Sequence, residues 1–327
     1  MSPGDCLDES TNQNFNPIIN LLNPYNMNKL RTLKWTSLMM TAAMVIFSCG
    51  SDDEAEPKPN AAFTSAADAD DYRVVSFTNS SENATSFEWN FGDGTDVSTE
   101  ENPVHTFVGT GEFTVALKAK GASTESTTTK KVTITPVLSN KILNGNGSKS
   151  WTLKASGGSF IVGPSIGSGE WYPGNDDSGN PKNLSAERPC LFNDEFIFKT
   201  SNIYEYDANG DIWAEGYMGY NADTKDKCQD ESTLPENAAS WGSGAHTYSF
   251  TKATAADKAK ITVTGTGAFI VLPKAINGAE VTSAPPATDG SITYDVVSYS
   301  VAGDVETMVI TVNFGPGYWT YTLVHEN

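Results

Sequence analysis

The chain has 327 residues, with 40 Asp and Glu against 21 Lys and Arg, which gives a formal net charge of −19 at pH 7. A surface this acidic repels nucleic acids and anionic lipid headgroups, so we exclude both as partners. It also repels polyanionic substrates and therefore favours neutral ligands.

Residues 27–48 have the three parts of an export signal. Three basic residues open the segment, and an apolar stretch of twelve residues, 36–47, follows them. This stretch is too short for a membrane-spanning helix, which needs ~20 residues. We therefore predict that residues 27–48 are a signal peptide, and that residues 1–26, which precede this start, are a leader outside the fold.

The sequence Ile46-Phe47-Ser48-Cys49 resembles a bacterial lipobox, although Phe47 replaces the small residue usual in that family. The resemblance implies that Cys49 is acylated and becomes the mature N-terminus; an ordinary secretory signal with an incidental cysteine is the alternative. The acidic residues that follow resemble the export tag of Bacteroidota lipoproteins, which implies an outer-membrane location facing the cell exterior. Residues 49–59, polar and with two prolines, would then be an extended tether.

Residues 60–136 show the alternating apolar and polar positions of β-strands. The motifs WNFGDG, NPVHTF and GEFTVAL, which fall between residues 89 and 117, closely resemble the signature of PKD (polycystic-kidney-disease-type) domains. That resemblance implies an immunoglobulin-like sandwich of seven strands that acts as a spacer. It also implies that Trp89 is a core residue and that His105 is a packed, hydrogen-bonded structural residue.

Residues 137–148 are rich in Asn and Gly and separate two strand-rich regions, so we predict a linker there. The region that follows, 149–327, contains short strand-like runs separated by turn signals, including a predicted hairpin at residues 207–210. No window carries a long helical apolar stripe. We therefore predict an all-β protein in which the PKD-like sandwich precedes a larger β-sandwich or jelly roll.

Cysteine usage fits an exported protein. Cys6 lies in the leader and Cys49 carries the predicted lipid, which leaves Cys190 and Cys228. An even pair in an exported chain predicts one disulfide between them. The three histidines are not at ligand spacing to either cysteine, so we predict no metal centre of the zinc type.

The acidic residues of the second region do not form a recognisable catalytic set. Glu170, Asp194, Glu195 and Glu215 are available, but no two alternate within an apolar strand as a pair of glycosidase carboxylates would. A nucleophile elbow is also absent from the sequence. We therefore predict no catalytic residue and no cofactor, with calcium left open at residues 207–211, where oxygen ligands alternate as at the start of a calcium loop.

Aromatic residues in loop-like settings provide a more specific indication. Flat rings bind the C–H faces of sugars, and neighbouring Asp, Asn and Glu can hydrogen-bond to the hydroxyls. Burial in the core is as common an explanation for any single large ring. We predict that a platform for a neutral saccharide is formed by the residues Trp171, Tyr172, Trp213, Tyr217 and Trp241.

The second region as a whole resembles the C-terminal domains that follow PKD modules in Bacteroidota polysaccharide-utilisation lipoproteins. The motifs that carry this resemblance are SWTL, FIVGP, NDEFIF, HTYSF, GTGAFIVLP and YWTYTLV. It implies a non-catalytic surface glycan-binding protein that works beside an outer-membrane sugar importer, with a β-glucan-like polysaccharide as ligand. Two alternatives stay open: a secreted glycoside hydrolase or lyase, and a structural or adhesive surface lipoprotein.

Overall fold

The structure is a computed structural model that describes residues 56–283 and 290–327. The predicted leader, the signal peptide and Cys49 therefore lie outside the described residues, as does most of the predicted tether. Among the described residues, no helix is long and apolar enough to cross a lipid bilayer.

The first domain is a sandwich of two three-stranded antiparallel sheets. One sheet has the strand order β1-β2-β4 and the other β3-β5-β6. The strands are β1 (Phe63–Ala67), β2 (Val74–Asn79), β3 (Ser86–Asn90), β4 (Val104–Thr106), β5 (Gly111–Lys120) and β6 (Glu125–Ile134). Alternate residues of these strands point inward and build the core between the two sheets, which includes the fully buried rings of Phe63, Phe77 and Trp89.

His105 has a structural role in this domain, as predicted. Its ring stacks on Phe91 at a centroid distance of 3.8 Å, and its Nε2 lies 2.7 Å from Oδ2 of Asp93. The neighbouring Gly92 has a φ of +77°, and a Cβ there would lie 2.5 Å from the carbonyl oxygen of Thr114. The tight turn after WNF therefore requires glycine.

The second region is built mainly from strands, with two short helices, α1 (Asn140–Asn144) and α2 (Cys190–Asn193). Its strands are β7 (Ser148–Leu153), β8 (Phe160–Gly163), β9 (Glu195–Lys199), β10 (Ile203–Asp207), β11 (Asp211–Ala214), β12 (Lys227–Asp230), β13 (Gly244–Thr251), β14 (Lys260–Thr264), β15 (Ala275–Ile276), β16 (Ala279–Glu280), β17 (Ser291–Ala302), β18 (Val305–Asn313) and β19 (Tyr318–Glu326). The protein is therefore all-β, as the sequence predicts.

The large sheet of this region closes on itself. Its strand order is β18-β17-β14-β13-β10-β9-β7-β19, and β19 also pairs with β18, so eight strands form a ring. Closure leaves no free edge in these strands and encloses an interior that side chains can fill. Fully buried residues that fill it include Trp151, Phe198, Tyr204, Tyr294 and Tyr321.

Two structural features lie at the margin of this ring, and residues in or next to them line a cleft. Strand β8 pairs with the first residues of β19, in front of those that pair with β7. Among the described residues, strands β11 and β12 pair only with each other and form a small separate sheet. The predicted hairpin at residues 207–210 is wrong, because β10 and β11 are joined by that turn but belong to different sheets.

The predicted linker at residues 137–148 is also wrong in its local structure. The segment contains α1, and its side chains Leu138, Ile142 and Leu143 are buried in the core of the second region. Gly145 does mark a turn after α1, but Ile142 and Leu143 give the short helix a buried face, and Leu138 before the helix is buried as well. Ser139 caps α1 by accepting a 3.1 Å hydrogen bond from the backbone N–H of Ile142.

Candidate functional site

A cleft of about 410 Å³ opens beside the β8–β19 edge, and aromatic and charged side chains line it together. Its volume falls within the usual range of small-molecule sites, which is ~300–1,000 Å³. A second depression of about 440 Å³ lies along residues 253–259 and 296–299, but small side chains form most of it. The lining of the cleft consists of Val162, Trp171, Tyr172, Arg188, Glu215, Asp226, Lys274, Glu280, Phe314 and Trp319.

Trp171 is the exposed ring of this cleft, with 52% of its surface accessible to solvent. Its backbone N–H donates a 3.0 Å hydrogen bond to the carbonyl oxygen of Val162, which anchors the long loop to β8. Phe314 meets the indole edge-on at a centroid distance of 6.3 Å. A Cβ at Gly317 would lie 2.5 Å from Cζ3 of Trp171, so the absence of a side chain there allows the ring to rest against the backbone. Trp171 is therefore held in place while remaining accessible.

Arg188 is another residue of the cleft lining, and it contacts two aromatic rings. Its guanidinium carbon lies 4.4 Å from the centroid of the Trp213 ring and 5.1 Å from that of Tyr172. One of its nitrogens, Nη1, lies 3.5 Å from Oε1 of Glu215. The same carboxylate oxygen accepts a 3.1 Å hydrogen bond from the indole N–H of Trp213. Arg188 and Glu215 therefore present a fixed donor and acceptor pair to the cleft.

Glu280 supplies a second carboxylate on strand β16. Its Oε1 accepts a 2.9 Å hydrogen bond from the indole N–H of Trp319, whose ring packs edge-on against Phe160 at 5.4 Å. This arrangement couples a buried tryptophan of the sheet edge to a carboxylate of the cleft wall. The second carboxylate oxygen of Glu280, Oε2, remains as an acceptor for a ligand.

Two buried hydroxyl groups lie close to these carboxylates. The Oη atoms of Tyr217 and Tyr321 are buried and have no hydrogen-bond partner among the described residues. Burial raises the pKa of the Tyr217 hydroxyl, and the negative charges of Glu215 and Glu280 raise it further. Both hydroxyls therefore stay protonated and need an acceptor, which a buried water could supply.

The remaining charged residues balance most of the acidity of the cleft. Arg188 and Lys274 carry positive charge, whereas Glu215, Asp226 and Glu280 carry negative charge, so the lining sums to −1. Within residues 56–283 and 290–327, Lys274 forms no ion pair, and Asp226 pairs with Lys225 at 3.4 Å. The cleft thus offers both cationic hydrogen-bond donors and anionic hydrogen-bond acceptors, and its net charge is small.

The structure places the five residues predicted as a platform in two different settings. Trp171 and Tyr172 line the cleft, whereas Trp213 and Trp241 are only 7% and 5% exposed. Trp213 lies under Arg188, and Trp241 packs edge-on against Tyr217 at 5.5 Å. The predicted exposure of Trp213 and Trp241 is wrong, because Arg188 covers the ring of Trp213 and the small neighbours of Trp241 let other chain segments pack closely around it.

Sequence reasoning missed several cleft residues. Phe314 and Trp319 lie in strand-like runs that predict core positions, and Trp319 is indeed buried, with its indole N–H bonded to Glu280. Arg188 and Lys274 do not belong to any recognisable sequence motif. One signal was available for Arg188, which stands two residues before a cysteine of the predicted disulfide.

The predicted disulfide between Cys190 and Cys228 is present, with a Cα–Cα distance of 5.8 Å. In the described part of the chain, the only group that brings three possible metal ligands together is Cys190, Asp211 and Cys228. Both sulfurs of that group are used in the disulfide. Two side chains of the turn at residues 207–211 accept hydrogen bonds from the protein: Asp207 accepts the N–H of Asn209 at 2.8 Å, and Asp211 accepts the side-chain amide of Asn193 at 3.0 Å.

Comparison with known families identifies the first domain. Residues 54–136 match the PKD domain family. The chain contains a PKD domain. This match begins six residues before the predicted start and ends at the predicted boundary, residue 136. It covers none of the second region and assigns no role to the cleft.

Solved structures similar to the chain include other PKD domains. The PKD1 domain of Vibrio anguillarum Epp is 28% identical over 24% of this chain and 95% of that domain, with a TM-score of 0.22. The PKD1 domain from the Vibrio cholerae metalloprotease PrtV is 24% identical over 24% of this chain and 100% of that domain, with a TM-score of 0.23. A solution NMR structure of a Methanosarcina mazei protein is 25% identical over 40% of this chain and 95% of its own, with a TM-score of 0.22.

Proposed function

We propose that this protein is a non-catalytic cell-surface lipoprotein that binds a neutral saccharide in the cleft beside β8 and β19. The observation that carries the proposal is Trp171, a half-exposed indole fixed between Phe314 and Gly317 at the mouth of a cleft lined by charged side chains. An indole face suits the C–H surface of a pyranose, and carboxylate and guanidinium groups suit its hydroxyls.

The size and charge of the cleft favour a short neutral segment of a polysaccharide. A volume of about 410 Å³ lies near the lower end of the range for ligand sites, so a few sugar units fill it. The Arg188–Glu215 pair compensates part of the charge within the cleft, and the N–H of Trp319 satisfies one oxygen of Glu280. A β-glucan-like polysaccharide is the ligand that we propose to test first.

The binding test uses affinity electrophoresis of the mature chain on gels that contain single polysaccharides, with β-glucans first. Trp171→Ala should abolish most of the retardation, because loss of one stacked ring weakens binding by ~1–3 kcal/mol, by analogy with base stacking. Val108→Ala is the matched control, since Val108 is 74% exposed on the PKD domain, away from the cleft. Equal retardation of Trp171→Ala and the wild type would contradict the assignment of this cleft. A wild type that no glycan retards would favour the structural or adhesive alternative.

One observation favours a second candidate, a glycoside hydrolase. Glu215 and Glu280 line the same cleft, and glycosidases use two carboxylates on either side of a glycosidic bond. Each of these carboxylates already accepts an indole N–H, and Glu215 also pairs with Arg188. A catalytic carboxylate must reach the proton that it gives or takes, and both groups are instead engaged with side chains of the cleft itself, so this arrangement suits binding better than hydrolysis. New reducing ends released from a retained polysaccharide, and lost in Glu280→Gln, would establish the enzyme instead.

The proposed location rests on the sequence of residues 27–54. We propose that Cys49 is lipidated, that the folded part faces the cell exterior, and that it works beside an outer-membrane sugar importer. Cys49→Ala in the native host should release the protein from the membrane, because a lipid chain provides the anchor. Continued membrane anchoring of this variant, or protection of the wild type from protease added to intact cells, would contradict the proposal.

A further inference from the structure

The disulfide lies directly behind the polar wall of the cleft. Cys190 follows the cleft residue Arg188 by two positions, and Cys228 follows the cleft residue Asp226 by two positions. The backbone N–H of Cys190 also donates to Sγ of Cys228 at 3.3 Å. One covalent bond therefore ties together the two chain segments that contribute these side chains.

The same bond lies next to the contact between Arg188 and Trp213. Cys228 is the cross-strand partner of Trp213 in the pairing of β12 with β11. Glu215 follows β11 immediately, and it contacts both Trp213 and Arg188. The disulfide consequently joins the segment that carries Arg188 to strand β12, whose partner β11 carries Trp213 and leads directly into Glu215.

Little other regular structure holds these two segments together. Helix α2 has four residues, and β11 and β12 have four residues each and pair only with one another. Such short elements are weak on their own, because an isolated two-stranded hairpin is marginal in water. A cross-link over a separation of 38 residues restricts both segments at once.

We infer that the Cys190–Cys228 bond is a positioning element of the saccharide site, which holds Arg188 over Trp213 and against Glu215. This inference rests on the proposed function and assigns Arg188 the task of binding sugar hydroxyls. Removing the bond should loosen the wall formed by residues 211–230 and by the Arg188 segment, whereas the closed sheet keeps its own ladder of hydrogen bonds.

The test compares four forms of the mature chain: the wild type, Cys190→Ala/Cys228→Ala, Arg188→Ala, and the triple combination. Each of the first two variants should bind the retained polysaccharide about tenfold more weakly, the loss expected for one charged hydrogen bond. If the disulfide acts through Arg188, the triple variant should bind no more weakly than the double cysteine variant, because coupled residues are not additive. Additive losses would overturn the inference, as would unchanged affinity in Arg188→Ala, which keeps the disulfide.

Hydrogen exchange followed by mass spectrometry gives a readout that needs no ligand. In the double cysteine variant, exchange should become faster in residues 186–192 and 211–230 and stay unchanged in β17, β18 and β19. Unchanged exchange in the first two segments, or equally faster exchange throughout, would overturn the positioning role. If no glycan retards the wild type, the proposed function fails, and the exchange pattern alone decides whether the disulfide orders this wall.

Discussion

At the scale of single residues, the close contact between Trp171 and the backbone at Gly317 can be tested directly. A Cβ at position 317 would lie 2.3 Å from the carbonyl oxygen of Gly163 and 2.5 Å from the Trp171 ring. We expect Gly317→Ala to displace the ring and to weaken saccharide binding nearly as much as Trp171→Ala, with an added loss of stability at the β8–β19 pairing. Affinity electrophoresis and thermal unfolding measure the two effects.

Gly147→Ala is the control for this substitution, because a Cβ at Gly147 meets no atom within 4 Å. It should leave both binding and the unfolding temperature close to those of the wild type. Wild-type binding by Gly317→Ala would show that the contact does not hold the indole in its orientation.

Asp194 gives a second prediction at this scale. It is fully buried, its Oδ2 accepts a 3.1 Å hydrogen bond from Tyr206, and its Oδ1 has no partner among the described residues. Burial raises the pKa of this carboxyl well above its usual value, and the charges of Asp211, Glu231 and Asp207 raise it further. The folded state therefore holds this proton at a pH where the unfolded chain releases it.

The sign of the pH dependence follows from this difference in proton binding. Stability supplied by protonated Asp194 is fully present below the unfolded pKa of about 3.9 and is lost as the pH rises through the higher folded pKa. We expect Asp194→Asn to remove that loss, so that its free energy of unfolding relative to the wild type improves as the pH rises. Urea unfolding at a series of pH values measures this difference. A difference between the two proteins that is independent of pH would contradict the raised pKa.

At the scale of elements, alternation in the sequence predicted strands well but did not show which rings are covered. FEWNF predicted β3 and the burial of Trp89, since the polar residues between its aromatics define a single buried face. In β11, by contrast, Ile212, Trp213 and Ala214 are all buried, because β11 is covered from both sides. The sequence around Trp213 therefore lacks the alternation of a half-buried strand and predicts a loop. The burial of Trp213 depends on Arg188, which is distant in sequence.

The glycines and serines around Trp241 show the same limit of sequence reasoning. A Cβ at Gly242 would lie 2.7 Å from Glu231 Oε1, and one at Gly267 would lie 2.0 Å from the Ser240 carbonyl oxygen. Small residues near a tryptophan thus allowed close approach of other chain segments instead of leaving a ring face open. The sequence contained the rings and the glycines, but the contacts between them depend on the tertiary fold.

These burials change the expected effect of the tryptophan substitutions. Trp213→Ala and Trp241→Ala should each lower the free energy of unfolding by ~3–5 kcal/mol, because each leaves a large cavity in a packed region. Trp171→Ala should lower it much less, since half of that side chain is exposed. Urea unfolding of the three variants measures the differences. Equal stability of all three would contradict the buried placement of Trp213 and Trp241.

At the scale of the whole molecule, the PKD domain and the second region touch through polar and aromatic contacts around α1. Ser139 donates a hydrogen bond to the carbonyl oxygen of Asp70, and Nζ of Lys141 lies 3.5 Å from Oδ2 of the buried Asp71. Tyr72 meets Tyr299 edge-on at a centroid distance of 6.5 Å. The described residues, 56–283 and 290–327, belong to one compact unit. From these contacts we predict that the PKD domain is held against the second region.

The junction continues into the second region through a charged network. The Tyr299 hydroxyl donates a 2.8 Å hydrogen bond to Glu306, and Lys149 forms a 2.8 Å ion pair with the same carboxylate. Glu306 is only 7% exposed, so its charge is largely removed from water. The hydrogen bond from Tyr299 and the ion pair with Lys149 replace the lost hydration of this carboxylate. A contact made by Tyr72 on the PKD domain is thereby supported by residues of β7, β17 and β18.

A fixed junction predicts resistance to proteolysis at residues 137–148. The buried side chains of Leu138, Ile142 and Leu143 keep this segment from entering a protease active site, which requires an extended and accessible chain. Under native conditions we expect no early cleavage there in the wild type. Leu143→Ala combined with Tyr72→Ala should open the segment and release a fragment that begins within it, detected by mass spectrometry of the products. Val108→Ala, at an exposed position of the PKD domain, is the control and should behave as the wild type. Early cleavage of the wild type within residues 137–148 would show that the two domains are joined flexibly.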